Sequence, residues 1–246
     1  MEITGTTRIA DLAVAYPATI RVFRARGIDF CCGGQRPVAE ACAETGIAFD
    51  TLKAELAEAL RGPAPDTFDW TGAPLDEVVT RIIQRYHVWL RRELPVLGEM
   101  AAKVARVHGE RHPEVREVAA TLAAITADLD PHMMKEERVL FPYIAEMARA
   151  ARSGGGLESS CFGSVENPIR MMEMEHEAVG GLLDEMRRQA SGYVVPDDGC
   201  NTFRGLYHGL LELERELHEH IHVENNVLHV RAKALEAQLL EVTAAG

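Results

Sequence analysis

The sequence lacks the features that mark membrane, nucleic-acid-binding and disulfide-stabilised proteins. No apolar run approaches the roughly 20 residues that span a bilayer, so a membrane association is not expected. Positive charge is scarce: 26 Lys and Arg stand against 38 Asp and Glu, and a net charge of −12 would repel a phosphate backbone, which argues against a nucleic-acid partner. Five cysteines in 246 residues are too few for a disulfide scaffold.

The beginning of the chain also lacks a basic segment followed by an apolar one, so no secretory signal is predicted. Together with the few cysteines, this predicts a protein of the reducing cytoplasm. Aromatic residues make up only 6% of the chain and β-branched runs are few, while Ala, Leu, Glu and Arg are abundant. This composition favours helices, and the sequence therefore predicts an all-α fold.

Proline and glycine divide the chain into three regions. Residues 1–61 contain short helical stretches that predict a small helical domain, in which Asp50 is the expected N-cap of the last helix. Residues 62–74 are rich in Pro and Gly and lack periodicity, so they are predicted to be a linker. Residues 75–246 predict a four-helix bundle. Its four amphipathic patterns lie at about 75–108, 113–151, 168–192 and 200–240.

The second and fourth bundle helices contain the same short pattern. HMMKEERVL begins at His132 and HIHVENNVL begins at His220, and both read His, three residues, Glu, two residues, Val-Leu. A further histidine lies upstream of each copy, in the first and third helices, at nearly the same distance. A single HxxxE match would be weak, but its duplication predicts two tandem helix pairs that build one site. The resulting set is His87, His132, Glu136, His176, His220 and Glu224.

All six side chains interrupt apolar stripes that must face the bundle core. In the fourth helix, for example, His220 and Glu224 continue the stripe of Leu217 and Leu228 in steps of three or four. Burying such groups is costly unless they are paired or bind a metal. A single core histidine is most often a hydrogen-bonded structural residue, and mutual hydrogen bonding without metal stays one explanation. The convergence of six polar groups from four helices favours a metal site.

Four imidazoles and two carboxylates exceed the needs of one tetrahedral zinc ion. They suit two non-haem iron ions bridged by the carboxylates of Glu136 and Glu224, with open positions for a small molecule. Imidazole and carboxylate are acceptable ligands for iron or manganese. The Glu-x-x-His pattern of ferritin-like sites is not repeated, because only Glu173, before His176, stands three residues ahead of one of these histidines.

HEHIH at 218–222 also satisfies the zinc-protease pattern H-E-x-x-H through His218, Glu219 and His222. The face of these histidines continues to His229, away from the leucine stripe, so it is predicted to be the wetter side of the helix, with a solvated or outer role. Neither a third ligand nor a substrate cleft is evident, and zinc proteolysis is therefore the weaker alternative. The histidines without motif context are predicted to lie at the surface: His108, His112 and His208.

The adjacent Cys31 and Cys32 allow two interpretations. A lasting disulfide between them is not expected, because their Cα atoms lie about 3.8 Å apart, below the usual range for a disulfide. They could be buried apolar residues. Alternatively, Gly33 and Gly34 would let a partner approach closely, which favours thiol exchange, transient iron binding or nitrosyl transfer. The other cysteines have no comparable context and are predicted to be inert: Cys42, Cys161 and Cys200.

On these motifs the chain resembles the RIC family, the iron–sulfur cluster repair di-iron proteins, which carry a hemerythrin-like four-helix bundle. GIDFCCGG at 27–34 is similar to the small domain that precedes the bundle in that family. HMMKEERVLFP at 132–142 and EHIHVENNVL at 219–228 are similar to its two ligand segments, so the resemblance implies the same six metal ligands. One departure is visible, because His229-Val230 stands where the family pattern has Phe-Pro.

The resemblance implies repair of iron–sulfur clusters damaged by oxidative or nitrosative stress, by supply of iron. It further implies iron–sulfur client proteins as partners, nitric oxide or oxygen as small ligands, and a homodimer. Two alternatives stay open. The first is a redox enzyme that reduces nitric oxide or peroxide at the same irons. The second is a module that binds or senses oxygen or nitric oxide, against which the CC-containing domain counts, since a carrier does not need it.

Overall fold

The computed structural model of the chain describes residues 3–61, 68–154, 160 and 162–245, with side chains up to residue 241. Within these ranges every regular element is a helix, which confirms the predicted all-α class. The predicted linker is described only in part, because residues 62–67 lie outside these ranges, as does Cys161. The boundaries given to the two domains and the linker stay predictions.

Four short helices form the N-terminal unit: α1 Ile9–Ala15, α2 Ile20–Ala25, α3 Val38–Thr45 and α4 Phe49–Ala59. A single 3-10 turn, Pro17–Thr19, leads into α2, and Gly27 follows that helix with a positive φ of 65°. Their apolar faces enclose a small core around Phe23 and Leu52. The prediction that Asp50 caps α4 is wrong: Ala48 is the N-cap, and Asp50 lies in the first turn, where its charge favours the helix dipole.

Four long helices follow, as predicted. Three of them contain one π-helical turn, in which the backbone is wider than in an α-helix. In chain order the first comprises α5 Leu75–Ile82, π1 Ile83–His87 and α6 Val88–His108; the second α7 Glu114–Lys135, π2 Glu136–Leu140 and α8 Phe141–Ser153; the third α9 Glu166–Gln189; the fourth α10 Asn201–Val223, π3 Glu224–Leu228 and α11 His229–Ala245.

The π turns lie where the inward-facing residues follow two successive steps of four. An α-helix has 3.6 residues per turn, so repeated steps of four carry the inward face around the helix. An i→i+5 turn accommodates the extra residue and keeps the face directed inward. This spacing occurs at His132, Glu136 and Leu140 in the second helix, and correspondingly at Val79, Ile83 and His87 in the first and at His220, Glu224 and Leu228 in the fourth. The third helix alternates steps of three and four around His176 and contains no π turn.

Two apolar clusters fill the bundle interior at different heights. One lies towards the end where α6 stops and α7 begins, and it includes Leu94 and Leu122. The other lies towards the start of α5, and it includes Ile82 and Ile144. The six polar residues of the predicted site belong to neither cluster, since they occupy the turns between them. In the described part of the chain, no helix is both long and apolar enough to cross a membrane.

A buried glutamate connects the start of the third bundle helix to the end of the fourth. Glu236 is 5% exposed. Its carboxylate accepts hydrogen bonds from the Tyr143 hydroxyl at 2.8 Å, the Val165 backbone N–H at 2.8 Å and the Ser164 hydroxyl at 2.7 Å. Its negative charge also faces the N-terminus of α9, which favours it further. This one side chain therefore satisfies two buried donors and one partly buried donor.

We expect Glu236→Ala to lower the free energy of unfolding by about 3 kcal/mol, because buried donors lose their acceptor. For a chain of this size the midpoint of thermal unfolding should fall by about 2–4 °C for each kcal/mol lost. Differential scanning calorimetry would measure both. The matched control is Glu241→Ala, an exposed position in the same helix, which should change stability by less than about 0.5 kcal/mol. Equal stability of the two variants would contradict the role given to Glu236.

Candidate metal centre

The six predicted residues come together in the middle of the bundle. Each is at most 2% exposed. Their imidazole nitrogen and carboxylate oxygen atoms form two groups, and within each group one such atom from every residue lies within 4.8 Å of the others. Both groups contain the same two glutamates, so these carboxylates lie between the two histidine pairs. The groups are His87, Glu136, His220 and Glu224, and His132, Glu136, His176 and Glu224.

Glu224 reaches both histidine pairs through different oxygens. Its Oε1 lies 2.8 Å from His220 Nε2, and its Oε2 lies 3.1 Å from His176 Nε2. His220 precedes Glu224 by one helical turn on the fourth helix, whereas His176 comes from the third. A carboxylate oriented in this way can coordinate one ion with each oxygen, which is the geometry of a bridging ligand.

Glu136 lies between the other two histidines. Its Oε2 is 3.4 Å from both His87 Nε2 and His132 Nε2. Neither oxygen of Glu136 accepts a hydrogen bond from a residue in the described ranges. A fully buried carboxylate without a donor is costly, and a cation placed between these atoms would neutralise it. The donor set and the orphaned carboxylate therefore fit a pair of metal ions.

The charges of the site also favour cations. Burial acts to lower the pKa of His87, but Glu136 and Glu224 outweigh it and raise this pKa to about 10. Burial likewise opposes the protonation of His176, and Glu224 raises its pKa to about 9. The pKa of Glu224 lies well below its usual range, because the neighbouring histidines, His220 first, outweigh the opposing effect of burial. Metal ions would supply the same positive charge and release the protons.

Two of the site histidines are oriented by carboxylates outside the ligand set. His87 Nδ1 donates to Glu137 Oε1 at 2.7 Å, and His132 Nδ1 donates to Glu175 Oε2 at 2.9 Å. Arg91 donates to the same oxygen of Glu137 at 2.8 Å. Such carboxylates fix the tautomer, so that Nε2 faces the centre with its lone pair, and they make the imidazole a better ligand. The sequence analysis missed both, although each stands directly beside a predicted ligand.

The other two histidines have different surroundings. His176 Nδ1 donates to Asn225 Oδ1 at 2.8 Å, which again directs Nε2 inward. His220 is held by packing, because the ring of Tyr86 stacks on it with centroids 5.0 Å apart and an interplanar angle of 10°. Within the described part of the chain, His220 Nδ1 has no hydrogen-bond partner. Asn225 follows Glu224 in the sequence, so one turn of the fourth helix supplies both a candidate ligand, Glu224, and the hydrogen-bond acceptor of another candidate ligand, His176.

The protease-like HEHIH segment contacts the N-terminal unit. His222 is 3% exposed, and its Nδ1 donates to the backbone carbonyl of Phe30 at 3.1 Å. The Phe30 ring packs edge-on against His218 and His222 at centroid distances of 6.2 and 5.5 Å. Glu219 forms a 2.9 Å ion pair with Arg24. None of these residues belongs to either group of ligand-capable atoms, and the prediction that this face is the wetter side is wrong for His222.

Two more histidines are buried against expectation. His229, predicted on the wetter side, is 0% exposed, and its ring is stacked parallel to that of His176 with centroids 6.1 Å apart. His108, predicted at the surface, is 4% exposed, and its Nε2 lies 3.2 Å from the Cys200 sulfur. The helix face that carries His229 is covered by the neighbouring third helix, and the periodicity of a single helix does not reveal such coverage. The prediction for His208 is confirmed, since that side chain is exposed.

A carboxylate organises the loop that carries the cysteine pair. Asp29 Oδ1 accepts the backbone N–H groups of Cys31 at 2.9 Å and Cys32 at 3.1 Å, and its Oδ2 accepts that of Gly33 at 2.7 Å. Gly34 is required by close packing, because a Cβ there would lie 2.6 Å from the Phe30 carbonyl oxygen. Asp29 is another residue that the sequence analysis missed, although an Asx turn before a glycine pair is a local signal.

The cysteine pair lies against the third bundle helix. Both thiols are free, Cys31 being buried and Cys32 partly exposed. The Cys32 sulfur is 3.9 Å from the position a Cβ would take on Gly180, one turn beyond His176. A hydrogen bond from Cys31 lowers the pKa of Cys32, and the same bond, with burial, raises the pKa of Cys31 well above its usual range. Cys32 is therefore the more acidic thiol of the pair.

This fold and site define a class of protein: a four-helix bundle whose core histidines and glutamates form two groups that could hold metal ions. The description "Hemerythrin HHE cation binding domain" matches residues 78–232, and the domain of unknown function DUF542 (ScdA_N) matches residues 5–60. The first match and the buried histidine–glutamate groups together indicate a non-haem iron site.

The relatives identify the family more closely. The chain is 41% identical over 224 residues to the iron-sulfur cluster repair protein YtfE of Yersinia pestis (strain Pestoides F), covering 91% of this chain and 95% of the relative. The protein of the same name from Yersinia pseudotuberculosis serotype O:1b (strain IP 31758) shows the same identity and coverage. The chain belongs to this family of hemerythrin-like proteins with an N-terminal CC-motif domain, which confirms the resemblance seen in the sequence.

The orienting carboxylates can be tested separately from the candidate ligands. We expect Glu137→Ala to weaken iron binding by about 10–100-fold, because His87 loses the acceptor that fixes its tautomer. Competition with a chromogenic iron chelator would measure the affinity. Glu117→Ala, at an exposed position on the same helix, serves as the control and should bind iron as the unmodified protein does. Unchanged affinity in Glu137→Ala would remove this residue from the metal centre.

Proposed function

We propose that this chain is a di-iron protein that repairs iron–sulfur clusters damaged by oxidative or nitrosative stress, and that it does so by supplying iron. The observation that carries the proposal is the pair of buried histidine–glutamate groups that share both carboxylates. The names of the relatives, which are 41% identical, support cluster repair as the task. Iron–sulfur proteins are then the clients, and a cytoplasmic homodimer is the form we propose.

In this proposal each ion has two histidine ligands and shares two carboxylates. His87 and His220 would hold one ion, His132 and His176 the other, and Glu136 and Glu224 would bridge them. A bound di-iron centre supplies redox-active ions with open positions for nitric oxide or oxygen. The chain itself supplies imidazoles aimed at the centre, which become neutral when cations displace their protons, a dry surrounding between two apolar clusters, and negative charge that retains cations.

The cysteine pair is proposed as a site of thiol exchange or of iron or nitrosyl transfer. Cys32 is the better candidate for the first contact, because it is partly exposed and its pKa is lowered by Cys31. Its place one turn from His176 supports a role close to the metal centre. Cys31 is buried and its pKa is raised well above its usual range, so in this proposal it stays a thiol, which donates to Asp29 Oδ1 at 3.2 Å and leaves Cys32 as the reactive member of the pair.

Metal analysis tests the di-iron assignment. We expect about two irons per chain in protein purified without oxygen, as four imidazoles and two carboxylates suit two ions. Glu136→Ala and Glu224→Ala should each lose much of this iron, because each removes a bridge between the ions. Double replacement of His218 and His222 is the control and should leave the iron content unchanged. Loss of metal in that double variant alone would instead support the protease-like motif.

The stoichiometry of iron release distinguishes repair by iron supply from the alternative of a reductase. An iron donor should lose its iron once when mixed with a cluster-depleted iron–sulfur protein and inorganic sulfide, and cluster absorbance should rise in proportion. With nitric oxide or peroxide and a reductant, it should not turn over. Repeated consumption of nitric oxide or peroxide with the iron retained would contradict iron supply and favour the reductase.

A further inference from the structure

Two consecutive asparagines on π3 serve two different parts of the molecule. Asn225 accepts the hydrogen bond from His176 Nδ1 at 2.8 Å and so faces the metal centre. Asn226 is directed the other way, towards the N-terminal unit and its cysteine loop. The first three residues of π3 therefore have three different roles, because Glu224, which precedes the two asparagines, is a candidate ligand. Asn226 has no role in the function proposed above.

Asn226 binds the cysteine loop with both ends of its amide. Its Nδ2 donates to the backbone carbonyls of Phe30 at 3.3 Å and Cys31 at 3.0 Å. Its Oδ1 accepts from Gln35 Nε2 at 3.0 Å. The orientation of the amide is fixed by its partners, because carbonyl oxygens can only accept and must face the NH₂ group. Without Asn226 the Cys31 carbonyl would lose this donor, whereas the Phe30 carbonyl would keep the hydrogen bond from His222.

Side chains of the fourth bundle helix make most of its polar contacts with the N-terminal unit. Besides Asn226, His222 donates to the Phe30 carbonyl, and Glu219 pairs with Arg24 of α2. The Arg24–Glu219 pair is partly solvated and contributes little, since exposed ion pairs are weak. Of the three side chains from this helix, Asn226 is the one that donates to the carbonyl of a cysteine. It lies two residues after Glu224, as His222 lies two residues before it.

We propose that Asn226 is a positioning residue that holds the Cys31–Cys32 loop on the bundle beside the metal centre, and that its loss releases the loop without unfolding either part. The N-terminal unit has its own apolar core around Phe23 and Leu52, so it does not depend on Asn226 to stay folded. The loop itself is organised internally by Asp29. This inference concerns the position of the thiols and holds whether or not the bundle supplies iron to clusters.

The test is the rate at which each cysteine of the iron-loaded protein reacts with iodoacetamide, followed by peptide mass spectrometry. Asn226→Asp keeps the size of the side chain but replaces the donor with a second acceptor facing two carbonyls. Loss of the two hydrogen bonds should open the loop more often and raise the alkylation rates of Cys31 and Cys32 about tenfold. Gln238→Glu is the matched control: it makes the same amide-to-carboxylate change at an exposed position of the same bundle helix, so both rates should stay at the wild-type value.

Two other cysteines separate local release from general unfolding. Cys42 is buried in the core of the N-terminal unit, so it should stay protected in Asn226→Asp if only the loop is released. Cys200 is exposed, and the Phe203 backbone N–H, together with His108, lowers its pKa to about 7, so it should react quickly in every variant.

Unchanged rates for Cys31 and Cys32 in Asn226→Asp would overturn the proposal. A parallel rise at Cys42 would also overturn it, because Asn226 would then support the fold in general. If Asn226→Asp does not fold, Asn226→Ala decides the matter by the same criteria. Alanine removes the donors without adding charge. The alkylation rates of Cys31 and Cys32 should therefore rise less in Asn226→Ala than in Asn226→Asp, and the rise should still be confined to the loop.

Discussion

The burial of two carboxylates and four imidazoles between two apolar clusters is the constraint on which the rest of this structure depends. Water cannot reach these groups, so their charge must be balanced from within the bundle or by cations. Glu136, whose oxygens accept no hydrogen bond within the described residues, shows that the protein side chains alone do not achieve this balance. The surrounding carboxylates and Asn225 complete the arrangement, since they turn three of the four imidazoles so that Nε2 faces the centre.

The same constraint acts on the backbone. A histidine and a glutamate four residues apart, followed by another inward residue after four more, drift by about 80° around the axis of a regular α-helix. The second and fourth helices relieve this mismatch with a π turn that begins at the glutamate itself, and the first with one that ends at His87. The third helix carries His176 on an alternating spacing and stays regular. The positions of the ligands and the irregularities of the helices thus have one cause.

Features that depend on local spacing along one helix could be predicted from the sequence, and features that depend on contacts between distant parts of the chain could not. The bundle and its six inward polar residues were predictable, because both are written in the local spacing of apolar residues along each helix. The π turns coincide with repeated steps of four in the same spacing. The burial of His222 and His229 could not be derived from one helix, because it depends on which neighbour covers that face. The prediction that Asp50 caps α4 was wrong by two residues, because the sequence pattern locates the end of a helix only to within one or two residues.

The fourth bundle helix joins the two halves of the molecule. Its inward face carries His220 and Glu224, and the adjacent face, with His222 and Asn226, holds the N-terminal unit. The cysteine loop consequently lies at the height of the metal centre.

The central claim, two ions between shared carboxylates, is tested most directly by anomalous X-ray diffraction from crystals at the iron edge. The account predicts two peaks, each beside one histidine pair and both beside Glu136 and Glu224. A single peak, or a peak at His218 and His222, would contradict it.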